Sequence, residues 1–314
     1  MADGNCSSNG VLVVCLNPTF QQTMILPHLW EGEVNRSQEH YLDASGKGMN
    51  VARVLVQSGR PATLLTHLGG PRTEEMLQMI DAAGVEVSWA DSRSEIRTCT
   101  TIINKEHGTT TELVQEPYPV CPETEKTILT LYGRLLPRFS AVVFTGTRAP
   151  GYGRDLYPGM VERAKQNGAL VILDVKGRDL MESLRYSPDI IKPNLSEFVA
   201  TFMPDHEIRE QDDNEGLRPA IENVAAELYG RYGTKLLLTR GAYPIWYYDG
   251  VSLREAPVEK VEAINTIGCG DAFTAGMVDG LLENGDMQQS VAKGVHYGAL
   301  NAVNIRPGSI IPLR

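Results

Sequence analysis

The residues with the clearest chemistry form a glycine-rich stretch near the end of the sequence, residues 265–276. Gly268 and Gly270 lack a Cβ, so the backbone can turn sharply there and approach a ligand closely. Apolar residues then recur at helical spacing, which predicts a helix from about Ala272 to Gly285. Because a helix start presents unpaired N–H groups and the positive end of the helix dipole, this stretch is typical of an anion site.

Asp271 lies inside this pattern, where a carboxylate would repel a resting phosphate. One interpretation is that Asp271 accepts the proton of an attacking hydroxyl during phosphoryl transfer. The alternative is that it merely caps the helix, and composition alone favours that alternative. The stretch by itself leaves both roles open.

Composition narrows the class of protein. The chain has 314 residues, a net charge of −10 and a hydrophobic fraction of 42%. This length fits one large α/β domain with an accessory piece. We expect no nucleic-acid partner and no membrane partner, because general binding to either needs a basic field.

Cysteine usage and the N-terminus bear on location. The five cysteines are scattered and form no C-x-x-C pair, so neither a disulfide framework nor a zinc site is indicated. The first ten residues are polar, and the apolar run at residues 11–16 is too short for a signal or a membrane span. We therefore expect a cytoplasmic protein.

Strand and helix patterns alternate along most of the chain. This alternation predicts an α/β fold, with a mostly parallel central sheet and helices on both faces. Two segments, at about 23–41 and 97–114, fall outside the alternation. We expect them to form a small β-sheet lid inserted into a single domain that spans residues 1–314.

Several informative polar residues follow predicted strands, at the end where α/β sheets bind ligands. They are Asn17, Thr145, Gly146, Thr147, Asp174, Asn194, Thr239, Arg240 and Gly241. The sequence has neither the P-loop pattern nor the dinucleotide-binding glycine pattern after a strand. The convergence of strand ends is therefore the main indication of a site.

Two segments together resemble the signatures of the PfkB-type carbohydrate kinases, which have the ribokinase-like fold. They are residues 44–53, ASGKGMNVAR, and residues 265–271, NTIGCGD. Residues 32–36, 46–55, 111–113 and 306–310 resemble the branch of 1-phosphofructokinase and tagatose-6-phosphate kinase. The resemblance covers residues 16–310, nearly the whole chain.

The resemblance implies a set of catalytic and substrate-binding residues. Asp271 matches the catalytic base, and the N–H groups of residues 268–271, which include Gly268, Cys269 and Gly270, match the anion hole. Lys47 and Arg97 match residues that hold a phosphate already on the sugar, a task suited to an ammonium and a guanidinium. The implied substrate-binding set is Asn17, Gln21, Gly46, Lys47, Gly48, Asn50, Arg97 and Thr147.

The resemblance also implies ATP and Mg²⁺ as cofactors. The implied nucleotide-binding set is Lys192, Asn194, Thr239, Gly241 and Asn301, with Asn301 near the base. Asn194 and Glu197 match the N-x-x-E motif, which orders magnesium and its waters. The lid would close over a sugar phosphate and exclude water, and its exposed strand edges suggest a homodimer through the lid.

Each charged residue also has a plainer interpretation. Lys47 alone could be a surface lysine, and Arg97 could be a solvated charge that protects a strand edge. Asn194 and Glu197 alone would be an ordinary pair at a helix start.

Five positions depart from the family pattern: Asn265, Cys269, Gln21, Arg148 and Ser45 stand where Asp, Ala, Asp, Leu and Gly are usual. None of them replaces Asp271. We predict an ATP-dependent kinase of a phosphorylated ketohexose. The alternatives are a kinase of an unphosphorylated sugar or nucleoside, and a catalytically weak sensor of sugar phosphates or nucleotides.

Overall fold

The computed structural model describes residues 10–206, 208 and 212–312. Its strands in chain order are β1 (Val11–Cys15), β2 (Thr19–Leu26), β3 (Glu39–Ser45), β4 (Ala62–Leu68), β5 (Glu86–Asp91), β6 (Arg97–Asn104), β7 (Thr109–Leu113), β8 (Ala141–Thr145), β9 (Leu170–Asp174), β10 (Ile190–Ile191), β11 (Lys235–Arg240), β12 (Tyr243–Tyr248) and β13 (Leu253–Ala256). Its α-helices are α1 (Lys47–Gln57), α2 (Thr73–Ala82), α3 (Pro122–Leu135), α4 (Leu156–Gln166), α5 (Gly177–Ser183), α6 (Leu195–Phe202), α7 (Arg218–Tyr232), α8 (Cys269–Asn284) and α9 (Met287–Ala302).

The larger sheet confirms the predicted α/β class. Its nine strands lie in the order β13-β12-β11-β10-β9-β8-β1-β4-β5. The pairs from β11 to β5 are parallel, whereas β12 and β13 add an antiparallel edge. The carboxyl ends of β10, β9, β8 and β1 are therefore neighbours, as the strand-end argument requires.

Two hydrophobic cores cover the two faces of this sheet. In β1, Leu12 and Val14 pack with helices α3 to α7, whereas Val11 and Val13 pack with α1, α2, α8 and α9. The strand is buried on both faces, which explains its continuous apolar run. The helices that carry the two glycine-rich segments, α1 and α8, consequently share one face.

The lid is a separate four-stranded sheet in the order β3-β2-β6-β7. It was predicted over residues 23–41 and 97–114, but its first hairpin extends from Thr19 to Ser45. The predicted segment was too short because Asn17-Pro18 favours a turn, and the pattern of residues 19–22 does not distinguish them from a continuation of that turn. The longer hairpin brings the lid directly to the start of α1.

Several helix boundaries differ from the sequence prediction. Apolar periodicity in the sequence predicts helices that begin at Asn50, Tyr152 and Ala272. In the structure α1 begins at Lys47, α4 at Leu156 and α8 at Cys269. The short helix α5 was not predicted, and α6 was indicated only by the alternative that Asn194 and Glu197 begin a helix. The surface loop predicted for residues 203–215 lies partly outside the described residues.

Two further features bear on the class of protein. None of the helices in the described ranges is long and apolar enough to cross a membrane. Cys15, Cys99, Cys121 and Cys269 are free thiols.

Candidate active site

The turn at residues 268–271, which is predicted to bind an anion, lies at the N-terminus of α8 and requires glycine at its first position. Gly268 is the N-cap residue, with a φ of 83°. An added Cβ at Gly268 would lie 2.5 Å from the backbone nitrogen of Gly308. The turn is therefore packed tightly against the C-terminal segment, and its first N–H groups are fixed in direction.

Two buried amides support this turn from below. Asn265 donates from Nδ2 to the carbonyl of Ile305 at 2.8 Å and accepts from the N–H of Ile267 at 3.0 Å. Asn301 donates to the carbonyl of Ile267 at 2.9 Å and accepts from the N–H of Ser309 at 3.1 Å. Each amide uses both a donor and an acceptor, so the turn and the C-terminal segment hold each other in place.

The position of Asn301 differs from the one expected. We expected it near the base of a bound nucleotide, but its side chain is 0% exposed beneath the turn. A residue in helix α9 can face either the ligand or the core, and the sequence does not distinguish them. We assign Asn301 to the support of the turn.

Asp271 is a buried carboxylate held by α1. Only 7% of the residue is exposed, and Asn50 Nδ2 donates to Asp271 Oδ2 at 2.8 Å. Burial raises the pKa of Asp271 from its ordinary value of 3.8 to about 6, with Lys47 and the Asn50 hydrogen bond opposing the rise and Asp174 adding to it. Helix α8 has no side-chain cap hydrogen bond, so the cap interpretation of Asp271 is wrong.

The segment 46–50 is pressed against β1. An added Cβ at Gly48 would clash with the Cβ of Cys15, so α1 can approach the strand only with glycine there. Asn50 Oδ1 accepts a hydrogen bond from Ser45 Oγ at 3.1 Å, which orients the amide toward Asp271. The two glycine-rich segments thus meet through Asn50.

A charged network lies beside Asp271. Lys47 Nζ is 3.5 Å from Asp174 Oδ1 and 3.7 Å from Glu197 Oε1. Lys192 Nζ is 3.1 Å from Asp174 Oδ2, and both side chains are buried. The pKa of Lys47 is raised, chiefly by Asp174, and burial would raise the pKa of Asp174, but Lys192 and Lys47 outweigh it and lower that pKa.

The pair Asn194 and Glu197 forms a complete capping box at the start of α6. Asn194 Oδ1 accepts from the N–H of Glu197 at 2.7 Å, and Glu197 Oε2 accepts from the N–H of Asn194 at 3.1 Å. The plainer interpretation of this pair is therefore confirmed. The other carboxylate oxygen of Glu197 faces Lys47, so the same residue also belongs to the charged network.

The network offers two carboxylates to a magnesium ion, and lysines lie beside both of them. Within the described parts of the chain, no group of three or more His, Cys, Asp and Glu side chains could enclose a metal. Magnesium, however, is usually held by one or two carboxylates, with waters and substrate phosphates completing its shell. Asp174 and Glu197 are carboxylates of this kind at adjacent strand ends.

The predicted nucleotide residues lie at the next strand ends. Thr239 forms a parallel bridge with Asn194, and its N–H donates to the carbonyl of Pro193 at 3.4 Å. Gly241 follows β11 with a φ of 62°. Lys192 differs from the others, because it is buried against Asp174. Thr239, Gly241 and Asn194 thus share one edge of the sheet.

A cleft of about 130 Å³ opens at the carboxyl ends of β1, β8 and β9. Predicted residues that line it are Asn17, Lys47, Arg97, Thr147 and Glu197. Asn17 Nδ2 donates to Thr147 Oγ1 at 3.1 Å, whereas the buried atoms Asn17 Oδ1 and Arg97 Nε have no partner among the described residues. Unpaired buried atoms of this kind favour a polar ligand in the cleft.

Gln21 occupies a different place from the predicted substrate contacts. It is 2% exposed inside the lid, and its Nε2 donates to Thr101 Oγ1 in the neighbouring strand at 2.8 Å. Gln21 is not among the described residues that line the cleft. This amide joins β2 to β6.

Two residues of the cleft have no role predicted from the sequence. Asp174 ends a predicted strand and pairs with both Lys47 and Lys192. Lys176 lines the cleft two residues beyond Asp174. The only signal for both was their position after a buried strand.

Comparisons with known proteins agree with this geometry. The family model described as pfkB family carbohydrate kinase matches residues 15–312. Phosphofructokinase-2 from Escherichia coli in complex with substrates and products is similar in structure, with a TM-score of 0.84 and 20% identity over 94% of each chain.

Two structures from Thermotoga maritima are also similar. A possible 1-phosphofructokinase has a TM-score of 0.83 and 18% identity, over 96% of this chain and 94% of that one. A ribokinase has a TM-score of 0.72 and 16% identity, over 96% of both chains. These identities show the common fold, and the match to the family over nearly the whole chain shows that this protein belongs to the PfkB family of carbohydrate kinases.

Proposed function

We propose that this kinase transfers the γ-phosphate of ATP to a primary hydroxyl of a phosphorylated ketohexose. The observation that carries the proposal is the position of Asp271. It is a buried carboxylate with a pKa of about 6 at the N-terminus of α8, and Asn50 connects it to the helix that bears Lys47. A general base works best when its pKa lies near the operating pH.

In this proposal Asp271 removes the proton from the acceptor hydroxyl. Asn50 holds Oδ2 through the 2.8 Å hydrogen bond, and we assign the proton transfer to Oδ1. The hydroxyl oxygen then attacks the γ-phosphorus in line, and the bond to the leaving ADP oxygen breaks. Negative charge that spreads over the transferred group is stabilised by the N–H groups of the turn at residues 268–271.

The nucleotide would lie along the strand ends that follow β10 and β11. PfkB sugar kinases use ATP as the phosphate donor, and Asn194, Thr239 and Gly241 lie together at that edge. We assign magnesium to Asp174 and Glu197, with Asn194 contributing through water. When bound, the metal would neutralise charge on the phosphates.

The cleft supports an acceptor that already carries a phosphate. It contains Lys47 and Arg97, and the buried Nε of Arg97 has no acceptor in the part of the chain that the structure describes. One of the similar structures is a complex of Escherichia coli phosphofructokinase-2 with fructose-6-phosphate. We favour a phosphorylated ketohexose as the acceptor here because the cationic side chains of the cleft suit a phosphate.

A panel of acceptors tests this proposal directly. Coupled ATP turnover is measured with fructose 1-phosphate, fructose 6-phosphate, tagatose 6-phosphate and the corresponding free hexoses. We expect at least one phosphorylated ketohexose to have a kcat/KM ten or more times higher than any free hexose. Equal or faster turnover of a free sugar or a nucleoside would favour the alternative of an unphosphorylated acceptor.

One observation favours that alternative. Lys47 already lies near two carboxylates, Asp174 and Glu197, so part of its charge is balanced before any ligand binds. The weak-sensor alternative does not share this support, because Asp271 is intact and well placed.

We also propose a homodimer that forms through the lid. Trp30, Val34 and Leu113 are exposed apolar residues of the lid sheet and its connecting loop. Such residues suit a contact with a second copy. Sedimentation of the wild type and of Trp30→Ser tests this, because loss of the aromatic contact should shift the protein toward a monomer.

The cytoplasmic location rests on cysteine usage and is likewise a proposal.

A further inference from the structure

Lys47 and Arg97 were both predicted to bind the acceptor's phosphate, but the carboxylates of the cleft lie close to only one of them. Lys47 faces two carboxylates, since Asp174 and Glu197 lie 3.5 and 3.7 Å from its Nζ. Two other cations line the same cleft, Arg97 and Lys176. Within the described residues, neither of these two forms an ion pair. Arg97 does donate from Nη1 to the carbonyl of Gln115 at 3.2 Å. Arg97 and Lys176 are therefore the cleft cations that no described carboxylate pairs at close range.

We propose that Lys176 is a further substrate-binding residue, which contacts the phosphate of the acceptor together with Arg97. This inference rests on the proposed function, because it requires an acceptor that already carries a phosphate. The guanidinium offers a planar fork and the ammonium a compact charge with three donors, so the two can bind different oxygens of one phosphate.

The local structure around Lys176 does not favour a lysine at this position. It occupies the N-cap position of α5, where the positive end of the helix dipole disfavours a cation. Its side chain is exposed and lines the cleft instead of pairing with an acidic neighbour. Contact with an anionic ligand would explain a position that the fold itself does not favour.

An arginine pair fixes the turn that carries Lys176. Arg148 Nε donates to Asp179 Oδ2 at 2.8 Å, and Arg148 Nη2 donates to Asp179 Oδ1 at 2.6 Å. The pair is bidentate, and the two side chains are only 14% and 16% exposed. Because Arg148 follows the cleft residue Thr147 and Asp179 belongs to α5, the pair sets the distance between two walls of the cleft.

Three further hydrogen bonds hold the same turn. Arg148 Nη1 donates to the carbonyl of Gly153 at 2.6 Å, which anchors the arginine on its own loop. On the other side, the N–H of Gly177 donates to Thr201 Oγ1 at 3.4 Å, and Thr201 Oγ1 donates to the carbonyl of Glu197 at 2.6 Å. We therefore assign Arg148 and Asp179 as positioning residues for Lys176, which gives a role to an arginine that departs from the family pattern.

Steady-state kinetics of Lys176→Ala provides the first test. Loss of a charge-assisted hydrogen bond to phosphate should raise KM for the phosphorylated acceptor about 10- to 100-fold. KM for ATP and KM for the unphosphorylated sugar should change less than about 2-fold, because neither involves this contact. Lys176→Arg should keep most of the affinity, since it keeps the charge.

Lys126→Ala is the matched control, because Lys126 is an exposed lysine in α3 that does not line the cleft. It should behave as the wild type. Equal rises in KM for the phosphorylated and unphosphorylated sugars after Lys176→Ala would overturn the proposal, and so would a rise in KM for ATP alone.

The positioning role has its own readout. Arg148→Leu should raise KM for the phosphorylated acceptor in the wild-type background, but should add little when Lys176 is already alanine. Additive effects in the double variant would show that Arg148 does not act through Lys176. A general loss of stability would lower the melting temperature without discriminating between the two sugars.

A binding measurement separates this inference from the proposed function. Inorganic phosphate is titrated calorimetrically into the wild type, Lys176→Ala and Lys126→Ala, each saturated with a non-hydrolysable ATP analogue. The Kd for phosphate should rise at least 10-fold for Lys176→Ala alone. If no phosphosugar is turned over but this rise is seen, the proposed acceptor is wrong and the anion contact of Lys176 stands. An unchanged Kd would overturn the contact whatever the acceptor.

Discussion

Asn50 Nδ2 and Asp271 Oδ2 are 2.8 Å apart, although the two residues are separated by 221 positions in the chain. This hydrogen bond joins α1 to α8, and therefore the segment at residues 44–53 to the turn at residues 268–271. A donor held at a buried carboxylate stabilises its charged form and fixes its direction. The proposed base and the proposed acceptor site are thus coupled through a single amide.

The pH dependence of turnover should report this coupling. Because Asp271 must be unprotonated to act as a base and its pKa is about 6, kcat/KM should rise as pH increases from about 5 to 7. The Asn50 hydrogen bond lowers the pKa of Asp271, so Asn50→Ala should raise it and shift the acidic limb to higher pH. A limb that stays in place would mean that Asn50 does not act on the base.

Burial of Asp271 should also cost stability at neutral pH. Folding raises the pKa of this carboxyl from 3.8 to about 6, so the folded state binds the proton more tightly than the unfolded state. Its contribution to the free energy of unfolding is therefore favourable at low pH and is lost as pH rises through about 6. Asp271→Asn should raise the melting temperature relative to the wild type at pH 8, with the difference disappearing below about pH 4. An equal shift at both values of pH would exclude this origin.

The glycine turn allows a contrast between two neighbouring substitutions. Gly268→Ala places a Cβ at a φ of 83° and 2.5 Å from Gly308, and should destabilise the protein by at least about 1 kcal/mol. The added Cβ of Gly270→Ala would lie more than 4 Å from every described atom outside its chain neighbours and the nearby backbone of α8, so this change should leave the melting temperature nearly unchanged. Denaturant unfolding of both variants checks this, and similar losses at both positions would contradict it.

Lys47 can be tested by comparing two acceptors. If it contacts the acceptor's phosphate in the complex, Lys47→Ala should raise KM for a phosphorylated ketohexose far more than for the sugar without phosphate. Without Lys47, the negative charges of Asp174 and Glu197 would be less well balanced beside the bound ligands, so kcat should fall as well. Equal changes for both acceptors would confine Lys47 to its network with Asp174 and Glu197.

The fold class was accessible from the sequence because strand and helix patterns alternate and β1 is apolar throughout. Helix α5 was not, since it has only 7 residues and too few turns to show a period. The start of α6 was indicated only by the pair Asn194 and Glu197. The lid hairpin was placed too narrowly, because its first residues follow Asn17-Pro18 and mix polar with apolar side chains.

The glycine turn at the start of α8 and the segment that carries Lys47 could be recognised because glycine, lysine and aspartate stand at fixed spacing in two short segments. The direction of Asn301 was not, since one residue of a helix can face the core or the ligand. The partners of Asp174 could not be predicted either. Lys47 lies 127 residues before Asp174 and Lys192 follows it in the next strand region, and only the folded chain brings the three side chains together.

The most direct test of the whole account is the turnover number of Asp271→Asn with the preferred sugar phosphate and saturating ATP. The substitution keeps the shape of the side chain and removes the base, so kcat should fall about 10²- to 10⁴-fold. Asp81→Asn, at an exposed carboxylate of α2, serves as the control and should keep the wild-type rate. Near-normal turnover of a folded Asp271→Asn protein would contradict the assignment of Asp271 as the base.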